Sequence, residues 1–253
     1  MECRAYALEY HGRWFVDDRS VEQAWTDRTR ALLAVSPNNP TGSTLTPPEL
    51  QALQRRCRER DAALILDEVF ADYPFEATES ALHGPAGALT FRLGGLSKSA
   101  GLPQVKLGWI AVEGPDELVC TSLERLELIC DTYLSVSTPV QVAAPALIEQ
   151  GAVVRGEILR RIRSNLEVLR EAVAAHPSIE LLNGDAGWSA VIRVPARASE
   201  EELVLALLER HDTLVHPGFF FDFPHECFLV LSLLPPPDVF GEGVARVLEH
   251  VRG

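Results

Sequence analysis

The chain has 253 residues, and its 47% hydrophobic content is enough to fill the core of one large domain or two small ones. Its net charge of -13 disfavours nucleic acids and anionic membranes as partners. The five cysteines form no Cys-x-x-Cys pair, and the seven histidines form no metal-binding motif. Together with the absence of an export signal or a membrane-length apolar run, this predicts a cytoplasmic protein with reduced thiols and no metal.

Short apolar runs alternate with amphipathic segments along the first half of the chain. Residues 31–36 predict a buried strand that ends at a Pro-Asn-Asn-Pro turn, and Thr46 to Glu49 forms a capping box with proline at the first helical position. Three further apolar runs occupy residues 62–66, 89–93 and 107–112. Alternation of this kind predicts parallel strands covered by helices.

Three polar residues follow successive predicted strands. Asn39, Asp67 and Lys98 come after the first, second and third of these runs. Open parallel sheets bind ligands beyond the carboxyl ends of their strands, so we expect the three side chains to meet at one crevice. Each residue alone is equally well explained as a turn, a cap or a surface charge, but the three explanations together require three coincidences.

Lys98 is surrounded by small residues between Gly94 and Pro103. Only the neutral form of a lysine amine attacks an aldehyde to form a Schiff base, and burial or a neighbouring cation favours that form. The motif is also compatible with a loop that carries one solvated cation.

The second half of the chain predicts a small α+β domain. A helix at 115–130 and a proline-interrupted connector precede a long helix that ends before His176. Three strand-like runs follow, with Ser199 capping a helix between the second and the third. The predicted domains are residues 1–150, which include the connector, and residues 151–253.

Three motifs, in this order, resemble the signature of the class I and II aminotransferases, which are fold-type I pyridoxal-phosphate enzymes. They are Ser-Pro-Asn-Asn-Pro-Thr-Gly at 36–42, Leu-Asp-Glu-Val-Phe at 66–70, and the segment 96–109 that begins Leu-Ser-Lys-Ser. The resemblance implies an α/β fold, with an N-terminally incomplete large domain that has a mostly parallel sheet, followed by a small α+β domain. It also implies a pyridoxal-phosphate-dependent aminotransferase, a homodimer that exchanges amino groups between a small amino donor and a keto acid.

The resemblance assigns roles to individual residues. Lys98 would carry pyridoxal 5'-phosphate as an internal aldimine and then move a proton as general base and acid. Asp67 would pair with the pyridine nitrogen, and Asn39 would bond the phenolic oxygen. Ser97 and Lys106 would contact the phosphate.

The sequence departs from the family pattern in three places. Phe70 stands where the family places a tyrosine whose hydroxyl bonds the cofactor. Val230 stands at the position of the arginine that binds the substrate carboxylate. Either another cation takes over, with Arg193 or a residue of a partner subunit as candidates, or the substrate is not an ordinary α-amino acid. On the order of 100 residues of the family's N-terminal portion have no counterpart, so we expect an open sheet edge, an exposed apolar face and weak cofactor binding.

Other interpretations remain open at this stage. The shared motif does not determine which bond at the substrate Cα breaks, so a lyase or decarboxylase on the same scaffold is one alternative, and a non-catalytic truncated remnant is another. Tyr133 and Trp188 either line the active crevice or pack in a core. The aromatic loop at 216–221 either closes over the substrate or anchors the small domain.

Overall fold

The computed structural model describes residues 2–76, 87–223, 225 and 227–252. The chain begins with a hairpin in which β1 (Leu8–Tyr10) pairs antiparallel with β2 (Trp14–Val16). Helix α1 (Asp18–Ala24) follows, and its first turn is capped by the carboxylate of Asp17.

The first sheet contains the predicted apolar runs. Its strands are β3 (Ala31–Val35), β4 (Ala63–Asp67), β5 (Thr90–Gly95) and β6 (Gly108–Glu113), and they lie side by side in that order. Helix α2 (Pro47–Glu59) connects β3 to β4 and begins at the predicted capping box. Its apolar side packs on the buried side chains of β3 and β4.

The direction of β6 differs from the prediction. The first three strands are parallel, but β6 runs antiparallel to β5. The connection between β5 and β6 contains only the one-turn helix α3 (Leu96–Ser99) and a 3-10 turn (Pro103–Val105), with no crossover helix. A parallel pair needs a crossover connection, usually a helix, so this short connection returns the chain as an antiparallel strand.

Two helices join the first sheet to the second. They are α4 (Asp116–Thr132) and α5 (Thr138–Ala174). The predicted connector at 133–151 was therefore wrong over most of its length, because α5 continues through Pro145. A proline inside a helix removes one backbone hydrogen bond, and the other turns of this 37-residue helix remain. The division proposed between residues 150 and 151 falls inside α5.

The second sheet is antiparallel throughout. It consists of β7 (Glu180–Leu181), β8 (Ser189–Arg193), β9 (His216–Pro217) and β10 (Phe228–Ser232), in the spatial order β7-β8-β10-β9. Helix α6 (Glu200–His211) begins at the predicted Ser199 cap, and a 3-10 turn (Gly218–Phe221) follows β9. The C-terminal helix α7 (Pro237–Arg252), which the sequence analysis did not identify, packs against α5.

Apolar side chains are exposed at the β3 edge of the first sheet and along helix α4. Strands β3 and β6 form the two edges of that sheet, and Leu33 of β3 is 51% exposed. Helix α4 buries none of its residues. The exposed apolar side chains of α4, the α4–α5 connection and the start of α5, which we call the α4 face, are Leu118, Leu123, Leu128, Ile129, Tyr133, Leu134, Val142 and Ile148. The open edge and the apolar face expected from the sequence are therefore present in the described structure.

None of the described helices combines the length and the hydrophobicity that crossing a membrane requires.

Candidate functional site

The carboxyl ends of β3, β4 and β5 lie together at one end of the first sheet. Val35, Asp67 and Leu93 are neighbours across the three strands. Asn39 lies in the loop that follows β3, and Lys98 lies in α3, which begins where β5 ends. The topology therefore brings the three predicted residues to the carboxyl end of the same sheet.

Lys98 is partly buried among aromatic rings. Its Nζ atom lies 4.7 Å from the centre of the Trp188 ring and 5.2 Å from the centre of the Phe70 ring. Its backbone carbonyl accepts a hydrogen bond from the Tyr73 hydroxyl. Within the described part of the chain no carboxylate forms an ion pair with this amine. An amine without a carboxylate partner remains available to react with a carbonyl group.

Asp67 is half-buried at the end of β4. Its Oδ1 accepts a hydrogen bond from the backbone N–H of Val69, at 3.1 Å, which fixes the carboxylate as a cap on the following turn. The other oxygen, Oδ2, has no hydrogen-bond partner among the described residues. One carboxylate oxygen can thus hold the loop while the other accepts a proton donor from a ligand.

Asn39 lies in a loop that is stabilised by hydrogen bonds from side chains of the loop itself. The Thr41 hydroxyl donates to Oδ1 of Asn38 at 2.9 Å, and the Leu45 N–H donates to the buried Ser36 hydroxyl at 2.9 Å. The Asn39 side chain forms no hydrogen bond with another described residue, so its amide can contact a ligand.

Phe70, Tyr73 and Trp188 form the aromatic cluster around Lys98. The Trp188 ring meets Phe70 at 5.6 Å and Tyr73 at 5.2 Å between ring centres, both nearly edge to face. Burial, assisted by the Asp72 carboxylate, raises the pKa of Tyr73 to about 12, so its hydroxyl remains a donor to the Lys98 carbonyl. Trp188 therefore packs in a core and also lines the site, the two roles that its sequence context left open.

Ser97 and Lys106 are neighbours in sequence of two residues that contact each other. Ser97 follows Leu96 in α3, Lys106 precedes Leu107, and the Leu96 N–H donates to the Leu107 carbonyl at 3.0 Å. Lys106 is exposed and has a backbone φ of 57°, which ends the 3-10 turn. Lys98 and Lys106 are the only two lysines in the sequence.

Residues 183–188, which we call the strap, tie the second sheet to the Asn39 loop. The backbone N–H groups of Asp185 and Ala186 both donate to the Gly42 carbonyl, at 2.8 and 3.0 Å. The Asp185 carboxylate also accepts from the N–H and the hydroxyl of Thr44. The strap is therefore hydrogen-bonded to the loop that carries Asn39.

The strap also holds the segment that follows β4. The Phe75 N–H donates to the Asp185 carbonyl at 2.8 Å, and the Gly187 N–H donates to the Tyr73 carbonyl at 3.0 Å. Trp188 comes next, and its carbonyl accepts from the Leu233 N–H. The sequence analysis did not identify this role of the strap. Its one available signal was the glycine pair in Asn-Gly-Asp-Ala-Gly, because glycines permit close backbone approach.

Val230 and Arg193 provide no cation at the Lys98 site. Val230 is 2% exposed and packs in an apolar cluster with Trp14. Arg193 forms an ion pair with Glu180 at the far end of β8, roughly 16 Å along the strand from Trp188. The suggestion that Arg193 replaces the family arginine was therefore wrong.

The aromatic loop at 216–221 contributes to a second hydrophobic cluster. Phe221 packs against the cluster that contains Trp14, and the nearby Phe223 ring lies 5.7 Å from the Trp14 ring. This packing supports the anchoring interpretation of the loop. A pocket of about 540 Å³ lies beside the cluster and includes Asn39 but neither Lys98 nor Asp67. Tyr133 is 69% exposed, so it does not pack in a core of this chain.

The described residues match the chemistry of pyridoxal phosphate. Among the described residues, the Lys98 amine forms no ion pair, and Oδ2 of Asp67 and the Asn39 amide have no hydrogen-bond partner. All three groups lie at the carboxyl end of the first sheet. Across the same described residues, no group of three or more histidine, cysteine, aspartate or glutamate side chains is arranged to hold a metal ion. Within the described residues, Cys3, Cys57, Cys120 and Cys130 form no disulfide bond.

Comparisons with known proteins identify the family of the chain. The sequence pattern of the family described as "Aminotransferase class I and II" matches residues 1–232. An arginine–pyruvate transaminase from Pseudomonas aeruginosa is 31% identical over 197 residues, which are 76% of this chain and 49% of that protein. An S-alkyl-thiohydroximate lyase from Arabidopsis thaliana is 29% identical over 157 residues, 59% of this chain and 33% of that protein.

The crystal structure of a tyrosine aminotransferase from Leishmania infantum has the same fold. It matches 99% of this chain and 63% of its own length with a TM-score of 0.83 and 22% identity. The chain spans about half the length of the curated relatives that it matches first. The match to the family pattern covers nearly the whole sequence, and the chain therefore belongs to the class I and II aminotransferase family.

Proposed function

We propose that the protein is a pyridoxal-phosphate-dependent aminotransferase that moves an amino group from a small amino donor to a keto acid. The proposal rests on the position of Asn39, Asp67 and Lys98, which follow three neighbouring parallel strands at the carboxyl end of the first sheet. Lys98 also has no ion-pair partner among the described residues. The transaminase activity named for the Pseudomonas relative supports the same reaction.

Five residues would hold the cofactor in this proposal. Lys98 would bind it covalently, and Oδ2 of Asp67 would accept the N–H of its protonated pyridine ring. The Asn39 amide would bond its phenolic oxygen, and Ser97 and Lys106 would contact its phosphate. Lysine binds phosphate as a point charge without the two-pronged contact of arginine. When bound, pyridoxal phosphate supplies an electron sink for the substrate Cα.

Phe70 and Trp188 support the chemistry through their rings. Phe70 has no hydroxyl to bond the cofactor, and the nearby Tyr73 hydroxyl already donates to the Lys98 carbonyl. The two rings instead exclude water from the Lys98 amine. The Lys98 amine would move a proton at the substrate Cα.

The assembly and location of the protein are parts of the same proposal. A second copy of the chain, giving a homodimer, is supported by the exposed α4 face, since patches of this extent usually contact another surface. The two separate four-stranded sheets support a division into two domains, although the boundary between residues 1–150 and 151–253 lies within α5. The lack of a disulfide bond at Cys3, Cys57, Cys120 and Cys130 in the described structure supports a reducing compartment such as the cytoplasm.

An amino-exchange assay tests the proposed reaction. The protein with added pyridoxal phosphate is given a ¹⁵N-labelled amino acid and pyruvate, and labelled alanine is measured by mass spectrometry. The proposal predicts labelled alanine from the wild-type chain and none from Lys98→Ala. Lys106→Arg, which keeps the charge and Lys98, is expected to retain exchange.

A lyase is the second candidate, because one relative carries that activity in its name. In the same assay a lyase acting on a substrate with a Cβ leaving group would release ammonium and a keto acid without any acceptor. Labelled ammonium without labelled alanine would favour the lyase. If neither product depends on Lys98, the chain is a non-catalytic remnant.

A further inference from the structure

We propose that Trp188 is a positioning residue for the Lys98 amine, and that the strap makes its position depend on the Asn39 loop. This inference rests on the proposed function, because it concerns the amine that would bind the cofactor. It assigns a role in the reaction to the residue that directly precedes β8 of the second sheet.

The first argument is the geometry at Lys98. The Nζ atom lies 4.7 Å from the centre of the Trp188 ring, closer than the 5.2 Å that separates it from Phe70. The indole ring is the nearer and the larger of the two, so it restricts the positions that the Lys98 side chain can occupy more than the phenyl ring does. Without a carboxylate partner in the described residues, the amine takes its direction from these two rings.

The second argument is how Trp188 itself is held. Its indole N–H is buried and has no hydrogen-bond partner among the described residues, so no side-chain hydrogen bond fixes the ring. The ring is placed by its edge contacts with Phe70 and Tyr73 and by the backbone bonds of the strap. A small aliphatic residue at this position would keep the backbone bonds and lose the ring that faces Lys98.

The third argument is the close fit of the strap against the Asn39 loop. A Cβ atom at Gly42 would lie 2.4 Å from the Ala186 carbonyl oxygen, and one at Gly184 would lie 2.6 Å from the Thr41 carbonyl oxygen. Both distances are shorter than van der Waals contact. The two backbone segments are therefore in direct contact, and with the hydrogen bonds to the Gly42 carbonyl this contact links Trp188 to the loop that carries Asn39.

The test uses the fact that Lys98 and Lys106 are the only lysines. The full chain is mixed with pyridoxal phosphate, trapped with borohydride over a time course, digested, and analysed by mass spectrometry. The ratio of modified Lys98 to modified Lys106 is measured in each sample, so that Lys106 serves as a reference within the same molecule. The variants are Trp188→Leu, Trp188→Phe and Asp185→Ala, with Trp25→Phe as a control in a helix cap outside the site.

The proposal predicts that Trp188→Leu lowers the Lys98 to Lys106 ratio at least tenfold, and that Trp188→Phe, which keeps an aromatic face, stays within threefold of wild type. Trp25→Phe should match wild type. A Trp188→Leu protein that unfolds at the wild-type temperature and keeps the wild-type ratio would overturn the proposal. If Trp188→Leu does not fold, Asp185→Ala decides: its side chain is exposed, and the proposal requires a lowered ratio, whereas an unchanged ratio overturns it.

The same data separate this inference from the proposed function. If wild-type protein labels Lys98 no faster than Lys106, the proposed cofactor role of Lys98 fails. If wild type favours Lys98 and the Trp188 and Asp185 variants do so equally, only the positioning role fails.

Discussion

Oδ2 of Asp185 accepts hydrogen bonds from both the N–H and the hydroxyl of Thr44, at 2.9 and 2.8 Å. Asp185 belongs to the strap before β8, and Thr44 belongs to the loop after β3. The contact thus joins the two sheets beside the candidate site. Residues from both halves of the chain therefore determine the shape of that site.

Gly42→Ala should destabilise the protein by roughly 3 kcal/mol. Gly42 has a φ of +68°, and a Cβ atom there would lie 2.4 Å from the Ala186 carbonyl oxygen. Gly12→Ala is the matched control, because Gly12 has a φ of +79° but open space around its Cα, and we expect a loss of about 1 kcal/mol. Urea denaturation measures both values, and equal losses would contradict the proposed tight contact.

Glu200→Ala should cost about 3 kcal/mol in the free energy of unfolding. Glu200 is 1% exposed, and its two oxygens accept the backbone N–H groups of Phe219 and Phe228, at 2.9 and 2.7 Å. Removing the carboxylate leaves both donors unpaired. Glu201 lies in the same first helical turn, but its side chain is exposed. Glu201→Ala should therefore change stability by less than about 0.5 kcal/mol. Thermal unfolding of both variants tests this account, which fails if the two behave alike.

The histidine pair between α6 and α7 predicts a loss of stability in mild acid. The ring nitrogens of His211 and His250 lie 3.1 Å apart. Burial, and then the neighbouring His211 and Arg210, lower the pKa of His250 from its usual 6.5. The folded state therefore binds fewer protons than the unfolded state, so this contribution is present above pH 6.5 and is lost as the pH falls through the lowered pKa.

Urea unfolding at pH 7.5 and pH 5.5 measures this effect in wild type and His250→Gln. We expect a smaller pH dependence in His250→Gln than in wild type. His11→Gln is the control, because the His11 side chain is exposed. An identical pH dependence in all three proteins would show that His250 does not titrate as described.

Asp67→Asn should slow amino exchange by on the order of 100-fold with little change in stability. Asparagine can still accept the Val69 N–H through its one oxygen, but it cannot offer a charged oxygen to a pyridinium ring. Asp72→Asn, a nearby aspartate that pairs with Arg155, should retain exchange. Asp67→Asn with wild-type exchange would exclude a charged role for this residue.

Much of the site could be predicted because its determinants are local. Residues 31–36, 62–66 and 89–93 are short apolar runs that read directly as strands, and the strand-end rule then placed Asn39, Asp67 and Lys98 together. The caps at Thr46 and Ser199 also depend only on residues three positions apart.

The remaining features depend on contacts between distant segments. The contact of Trp188 with Lys98 arises from the hydrogen bonds of the strap, which no local pattern encodes. The direction of β6 follows from the short turn after α3 and not from the apolar character of residues 107–112. The continuation of α5 through Pro145 likewise overrides the local tendency of proline to end a helix.

The central claim is that Lys98 is the lysine that binds pyridoxal phosphate. The most direct measurement compares Lys98→Arg with Lys106→Arg, each of which leaves a single lysine in the chain. After incubation with pyridoxal phosphate and borohydride reduction, the intact masses and the modified peptides are measured. We predict that the cofactor modifies Lys98 in Lys106→Arg to a much greater extent than it modifies Lys106 in Lys98→Arg. Equal modification of the two variants would contradict the account.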